Sequence, residues 1–383
     1  MSGLRVGILA HSTNPRGGVV HALNLAEALT ARGIEATLLA PATPGASLFR
    51  APQCRTLLIP AAPVAQAGTE TLVRTRRAEI TNFLGTRHYD LLHAQDPISA
   101  LALSDLEGAG HIRSFVRTVH HLDPFRNPVL ARWQDMAVQR ARGLFCVSRM
   151  WREIIAARYG RRSVVVGNGV ETRRFTPRPD HRDAALRTRL LPGGERFVLA
   201  IGGIEERKNT LGTLRAFLRI MRAQTHPGLR LVIAGGASLL DHSAYRREFA
   251  AVLDRSGYAD RVILAGVIED ADMPALYRSA ALLCFASLQE GYGLCILEAL
   301  ACGIPVVAPH GAPFDEYLDP PDALRVDPRN DAEIASAILR ALQPPCAQRA
   351  YRHGPVRAAR FAWDEVATAH LAGYYHHREL ADA

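Results

Sequence analysis

Glu290 and Glu298 stand eight positions apart in SLQEGYGLCILEALACGIPVVAP, residues 287–309, and Lys208 lies in GGIEERKNT, residues 202–210. Carboxylates accept hydrogen bonds and an ammonium meets an anion, so these are residue types that could carry binding or charge-stabilising chemistry if the fold brings them together. The lysine stands out because it is the only one among the 46 basic side chains of the chain. A solvated surface takes either cation, whereas a site built for a compact, flexible ammonium does not accept the planar fork of arginine. Gly291-Tyr292-Gly293 must turn, so Glu290 falls in a loop and Glu298 about a turn and a half into the following helix. Ile296, Leu297, Leu300 and Ala301 make that helix apolar nearly all round, and a carboxylate embedded in it requires a partner.

The elements that position these groups follow one rhythm. Short apolar or β-branched runs (LRVGILAH, EATLLAP, DLLHAQ, VRTVHH, GLFCVS, SVVVGNG) alternate with amphipathic stretches such as HALNLAEALTARG, which predicts a parallel sheet with helices on both faces. At residues 176–196 the text turns to TPRPDHRDAALRTRLLPGGER, rich in Pro, Gly and charge, and the rhythm restarts with RFVLAIGG, RLVIAGG, RVILAGV, LLCFAS and IPVVAP. A chain of 383 residues is too long for one core, and the pattern gives two doubly wound α/β domains. The expected bounds are 1–177, a linker at 178–195 and a second domain at 196–357, with a closing helix over 358–383 packed back on the first domain.

Both halves open alike. LRVGILAH runs through TNPRGG into a helix near Val19, and FVLAIGG runs through IEERKNT into a helix near Thr210. Glycines after a first strand let backbone approach a phosphate, and the helix start adds partial positive charge. Neither loop reads GxGxxG or GxxxxGK[ST], which disfavours a nicotinamide cofactor or a P-loop nucleotidase.

Composition removes other classes. Hydrophobic content of 48% with 22% charged residues is globular. The net charge of +9 is spread along the chain without a helix-turn-helix, RRM or zinc-finger pattern, so no nucleic-acid partner is expected. Anionic substrates or a membrane surface use such potential better; the Arg74, Arg76, Arg77 cluster hints at an anionic lipid surface, although so short a charge run more commonly marks a solvated helix face. The opening MSGLRVGILAHSTN is too short to span a bilayer and no later run reaches about 18 apolar residues, which predicts a cytoplasmic protein, peripheral at the inner membrane face if membrane-bound. The six cysteines lack ligand spacing and read as reduced thiols, without disulfides or structural zinc. Asp270-Ala271-Asp272 imitates a metal-binding DxD, but its place before MPALYRSA suits Asp272 as a helix N-cap.

As an ensemble the residues resemble the retaining nucleotide-sugar glycosyltransferases of family 4, which have the GT-B fold of two Rossmann-like domains facing across a cleft. The resemblance runs through S-x-x-E-G-Y-G-L-x-x-L-E-A-L-A-x-G-x-P-V-V-A, PRGGVVHALNLAEAL, Thr118-Val119-His120, Asn168-Gly169-Val170 and the closing FAWDEVATAHLAGYY. The opening HSTNPRGGVVHAL also resembles an uncharacterised bacterial subgroup tied to a conserved biosynthetic gene cluster, whose acceptor is unknown. The family implies a metal-independent, hexosyltransferase-type enzyme, without a cofactor, that moves a sugar from a nucleoside diphosphate sugar to a small-molecule, lipid or glycan acceptor. It assigns Glu290, with Gly291, Tyr292, Gly293 and Leu294 beside it, to the donor sugar, Glu298 to the ribose and Lys208 to the diphosphate. Gly17 and Gly18 would close on phosphate or acceptor, and His120 would face the sugar from the other domain. Gly203 belongs to the donor loop at a position where many members carry an Arg that shares the diphosphate with the lysine, and Arg207 is the available substitute. A nucleotide-sugar epimerase or a glycogen-phosphorylase-like enzyme shares the architecture, the latter needing Lys208 for pyridoxal phosphate. A catalytically idle sugar-nucleotide-binding protein, for which Gly203 argues, is the alternative of a different class.

Overall fold

The computed structural model describes residues 4–64, 68–236 and 242–382, with backbone alone for 378–382. The chain divides into two compact units: one runs to Gly169 and resumes at Trp363, and the other holds Val170–Ala362.

The first unit alternates as the sequence rhythm implies. Its elements are β1 (Arg5–Leu9), α1 (Gly17–Ala31), β2 (Glu35–Ala42), β3 (Arg55–Pro60), α2 (Gly68–Leu84), β4 (Leu91–Ala94) and α3 (Pro97–Gly108). These are followed by β5 (Val116–Val119), α4 (Pro128–Arg140), β6 (Gly143–Cys146), α5 (Arg149–Tyr159) and β7 (Val164–Val165). Among the described residues the strands form one seven-stranded sheet in the order β3-β2-β1-β4-β5-β6-β7, every pair parallel. Strand β3 is absent from the sequence pattern, because RTLLIP is an edge strand with only Ile59 buried.

The second unit contains α6 (His181–Leu190), β8 (Phe197–Ile201), α7 (Thr210–Arg222), β9 (Arg230–Ala234), α8 (Ser243–Asp254), β10 (Val262–Gly266) and α9 (Met273–Ser279). It continues with β11 (Leu282–Cys284), α10 (Leu294–Ala301), β12 (Val306–Pro309), β13 (Leu324–Val326), α11 (Asp331–Ala341) and α12 (Pro344–Ala358). Its parallel sheet runs β10-β9-β8-β11-β12-β13. Helix α7 places Leu214, Phe217, Leu218, Ile220 and Met221 in the core beside Leu231, Ile233 and Leu282. Each such burial contributes about 1.5–3 kcal/mol, which outweighs the exposed arginines on its other face.

Three expectations require correction. Residues 178–195 are no free linker, because α6 is pinned to α9: Arg278 donates to Asp183 at 2.9 Å, and Asp272 pairs with Arg189 at 2.7 Å and Arg182 at 3.1 Å. Those same pairs occupy the Asp272 carboxylate, which makes no capping hydrogen bond to α9. The closing helix is also shorter than 358–383: it begins as α13 at Trp363 after a break from α12, and its last residue, Ala383, lies outside the described residues. Helix α13 carries Ala367 and Tyr374 into the core that β1 and α1 build.

The Arg74–Arg77 cluster on α2 is engaged locally. Arg76 donates to Glu79 at 2.6 Å, Arg77 to Asp105 at 2.5 Å, and Arg74 lies 4.9 Å over the Trp133 ring. Among the described residues no helix is long and apolar enough to cross a membrane.

Candidate active site

Strand order reverses at β1 in the first sheet and at β8 in the second, the position where loops at the carboxyl ends of parallel strands diverge and leave a binding crevice. In the second unit that position holds the β8–α7 loop and the segment following β11.

Two glycines shape the first of these loops. Gly202 sits at φ +124°, outside the range of L side chains, and a Cβ there would stand 3.0–3.1 Å from Cγ, Cδ and Cε of Lys208. The lysine stem therefore lies directly over the Gly202 backbone. A Cβ on Gly203 would stand 2.4 Å from the Gly236 carbonyl oxygen, so the loop after β9 approaches too closely for any side chain. The expected arginine position is thus closed by backbone packing. Gly203→Arg should lower the melting temperature by several degrees, on the order of 1–3 kcal/mol, with no gain in nucleotide affinity. Unchanged melting together with tighter nucleotide binding would contradict this packing account.

Hydrogen bonds then staple the loop to the second segment. Asn209, at φ +52°, donates its amide to Ala286 O at 3.1 Å and Pro328 O at 2.5 Å, and Leu288 N–H donates to Arg207 O at 2.9 Å. Lys208 and Glu290, 82 residues apart, are thereby brought to 2.6 Å between Nζ and Oε1. Arg207 Nη1 stands 3.1 Å from Glu290 Oε2, so each carboxylate oxygen faces its own cation. Lys208 also lies 5.2 Å over the Phe285 ring, which suits an ammonium held in place. Burial pushes the Glu290 carboxyl up, but attraction to Lys208 and Arg207 with hydrogen bonds from Lys208 and Ser287 outweighs it, and the group sits below the ordinary carboxylate range. Glu290 is therefore ionised at neutral pH.

Gly291, Tyr292 and Gly293 form the turn before α10, with Leu294 as its first residue. Tyr292 stacks on Tyr317 at 4.4 Å between centroids, and the Tyr317 hydroxyl donates to Tyr292 O at 2.7 Å, which fixes the turn. Glu298 follows in the second turn of α10. The partner its apolar surroundings demand is Tyr277, fully buried on α9, whose hydroxyl donates to Glu298 Oε2 at 2.6 Å.

Burial pushes the Glu298 carboxyl up to about 7, opposed by the Tyr277 bond and Arg174 and reinforced by Asp270 and Glu171. Folding raises this pKa from an ordinary 4.5, so the folded chain holds the proton more tightly than the unfolded one. The stability this contributes is complete below pH 4.5 and is lost as pH rises through about 7. Glu298→Gln should accordingly lose less stability than the parent between pH 5 and pH 8 in melting scans. An equal loss in both proteins would contradict the assignment.

In the first unit Gly17 and Gly18 open α1, and His120 follows β5. A Cβ on Gly18 would stand 3.4 Å from the His120 ring, and His120 Nε2 donates to Gln95 Oε1 at 2.9 Å. Around it stand His21, with Nδ1 donating to Asn168 Oδ1 at 2.6 Å, and His93, whose Nδ1 lies 2.6 Å from the Tyr374 hydroxyl. Burial, then the neighbouring histidines, holds His120 well below its ordinary range; burial brings His21 to about 4 despite its Asn168 bond. The imidazoles are neutral and act by hydrogen bonding. His21 and His93 are fully buried within this network.

Sequence reasoning missed Asn209, Tyr277 and Gln95. Asn209 had a visible signal, being a polar residue between the site lysine and a helix start. Tyr277 and Gln95 had none, because only the fold brings them to their partners.

Two parallel-sheet Rossmann-like units are the GT-B architecture, and the comparisons with known proteins agree with it. A sequence model described as Glycosyltransferase Family 4 matches residues 15–174, and one described as Glycosyl transferases group 1 matches residues 195–344. The chain is 30% identical to the D-inositol 3-phosphate glycosyltransferase of Xylanimonas cellulosilytica, over 97% of this chain and 96% of that protein. Sucrose-phosphate synthase from Thermosynechococcus elongatus superposes with a TM-score of 0.80 at 21% identity, covering 99% of this chain and 100% of that one. Anabaena HepE, solved in complex with UDP and glucose, superposes with a TM-score of 0.76 at 19% identity, over 95% and 97% of the two chains. The chain belongs to glycosyltransferase family 4 and is a glycosyltransferase of the GT-B fold.

Proposed function

We propose that the chain transfers a sugar from a nucleoside diphosphate sugar, with retention of anomeric configuration and without a metal ion. The observation that carries the reading is the Glu290 carboxylate held between Lys208 and Arg207 at the carboxyl end of the second sheet. Two cations beside one sugar-reading carboxylate match a substrate whose anionic diphosphate adjoins neutral hydroxyls.

In this reading the diphosphate draws Lys208 and Arg207 toward itself, and Glu290, relieved of them, accepts from hydroxyls of the donor sugar. Glu298 accepts from the ribose. As the bond between the anomeric carbon and the diphosphate breaks, the diphosphate leaves with the electron pair and gains charge. The Lys208 ammonium and the amides of the Gly291–Leu294 turn stabilise that charge more than they do the ground state. The acceptor oxygen bonds to the anomeric carbon on the face the diphosphate leaves, and its hydroxyl proton passes to the departing diphosphate oxygen. Within the first unit, neutral His120 beside Gly18 is a hydrogen-bonding group rather than a charge.

The name of the Xylanimonas relative makes a phosphorylated inositol the first acceptor class to assay. The reading is tested by a thermal-shift screen of UDP, GDP, ADP and their sugars with EDTA present. A ligand at 100 times its dissociation constant stabilises by about 2.7 kcal/mol. One nucleotide family should shift the melting of the parent and not that of Lys208→Ala; shifts that depend on Mn²⁺, or equal shifts in both proteins, would exclude it.

A further inference from the structure

We propose that Tyr277 is a positioning residue for nucleotide recognition: its phenol holds one oxygen of Glu298 and so presents the other to the hydroxyl pair of a ribose. The inference rests on the reading of Glu298 as the ribose-binding carboxylate. It concerns the residue behind it.

Tyr277 lies on α9, Glu298 on α10, and their separation is 2.6 Å between hydroxyl and Oε2. A phenol opposite a carboxylate donates, so the sense of the bond is fixed. Tyr277 has no exposed surface, and its ring is braced edge-on by Phe175 at 5.9 Å. Glu298 is half-buried, and among the described residues no other side-chain hydrogen bond reaches it. An unbraced glutamate on a helix samples several rotamers and loses that freedom on binding, which weakens its grip. Held by one oxygen, Glu298 keeps a single orientation, with the second oxygen able to accept from both hydroxyls of a vicinal diol. Arg174, Asp270 and Glu171 also act on Glu298 electrostatically, but Arg174 is paired with both acids and no side-chain hydrogen bond from any of the three to Glu298 accompanies that of Tyr277.

The readout is discrimination between a ribonucleotide and its 2′-deoxy counterpart, which a purely structural tyrosine would not affect. Dissociation constants for UDP, GDP and ADP and the matching 2′-deoxynucleoside diphosphates are measured by calorimetry on the full chain. Measured at pH 8, above the value of about 7 at which Glu298 ionises, the parent should prefer the ribose form by about tenfold or more, because a hydrogen bond to a charged acceptor is lost in the deoxy form. Tyr277→Phe, which keeps the buried ring, should bind the ribose form more weakly and reduce the preference to about threefold or less. Glu298→Gln separates the two claims. Preference lost in Glu298→Gln but kept in full by Tyr277→Phe overturns the role of Tyr277 alone. Preference kept in Glu298→Gln overturns the reading of Glu298 and the proposal with it, as does a parent that binds none of the three nucleotides or binds both sugar forms equally.

Discussion

Glu290→Gln is expected to lower turnover by about a hundredfold or more while nucleoside diphosphate binding is retained or tightens a few-fold. The two effects have opposite signs for one electrostatic reason. In the proposed reading Glu290, paired with Lys208 at 2.6 Å and Arg207 at 3.1 Å, competes with the diphosphate for both, and a neutral amide removes the competitor. The cations are then free to meet phosphate. The same amide loses the charged acceptor that sugar hydroxyls need as positive charge grows at the anomeric carbon, an interaction stronger in the transition state than before it. A hundredfold loss corresponds to about 2.7 kcal/mol, within reach of one charge-assisted hydrogen bond. Calorimetry with the diphosphate and initial rates with the sugar donor separate the two effects. Equal losses in both would show that Glu290 only holds the loop together.

Lys208→Arg is the second large effect: turnover falls at least about tenfold with melting within a few degrees of the parent. The charge is preserved, so a surface lysine would change neither quantity beyond a few tenths of a kcal/mol. The geometry does not permit that outcome. The lysine stem runs over Gly202 with three methylene carbons at 3.0–3.1 Å from where a Cβ would stand, and the ammonium ends between Glu290 and the Phe285 ring. A guanidinium is longer and planar, and its fork would bind Glu290 bidentately and hold that carboxylate away from the sugar. Displacing a reacting group by about 1 Å costs on the order of a hundredfold. Rates and melting curves of the one variant decide between these outcomes.

The alternation of strand and helix, the lone lysine and the paired glutamates are legible in the amino-acid sequence because they are local patterns, and periodicity and spacing record local patterns well. The α7 start at Thr210 follows from its loop and apolar face. What escapes the sequence is set by contacts between distant residues. The stretch from 178 to 195 reads as a linker because Pro, Gly and charge predominate, yet three ion pairs to Asp272 and Arg278, just before and on α9, convert it to a packed helix. Asp272 has the position of a helix cap and spends its carboxylate on two arginines of α6 instead. Gly203 reads as a missing arginine until the Gly236 carbonyl is seen beside it. The pairing of Lys208 with Glu290, and of Glu298 with Tyr277, joins residues 82 and 21 positions apart that no spacing rule connects.

Metal-independent, retaining transfer is tested most directly by the stereochemistry of the first product. With the donor identified by thermal shift, and EDTA present, proton NMR follows the anomeric signal as the enzyme slowly hydrolyses that donor with water as acceptor. The predicted result is that the sugar first released has the donor's own anomeric configuration, that its appearance is unchanged by EDTA, and that it is absent with Glu290→Gln. Release of the opposite anomer, or hydrolysis that stops in EDTA and resumes with Mn²⁺, would contradict a metal-independent retaining transfer at the Lys208–Glu290 site.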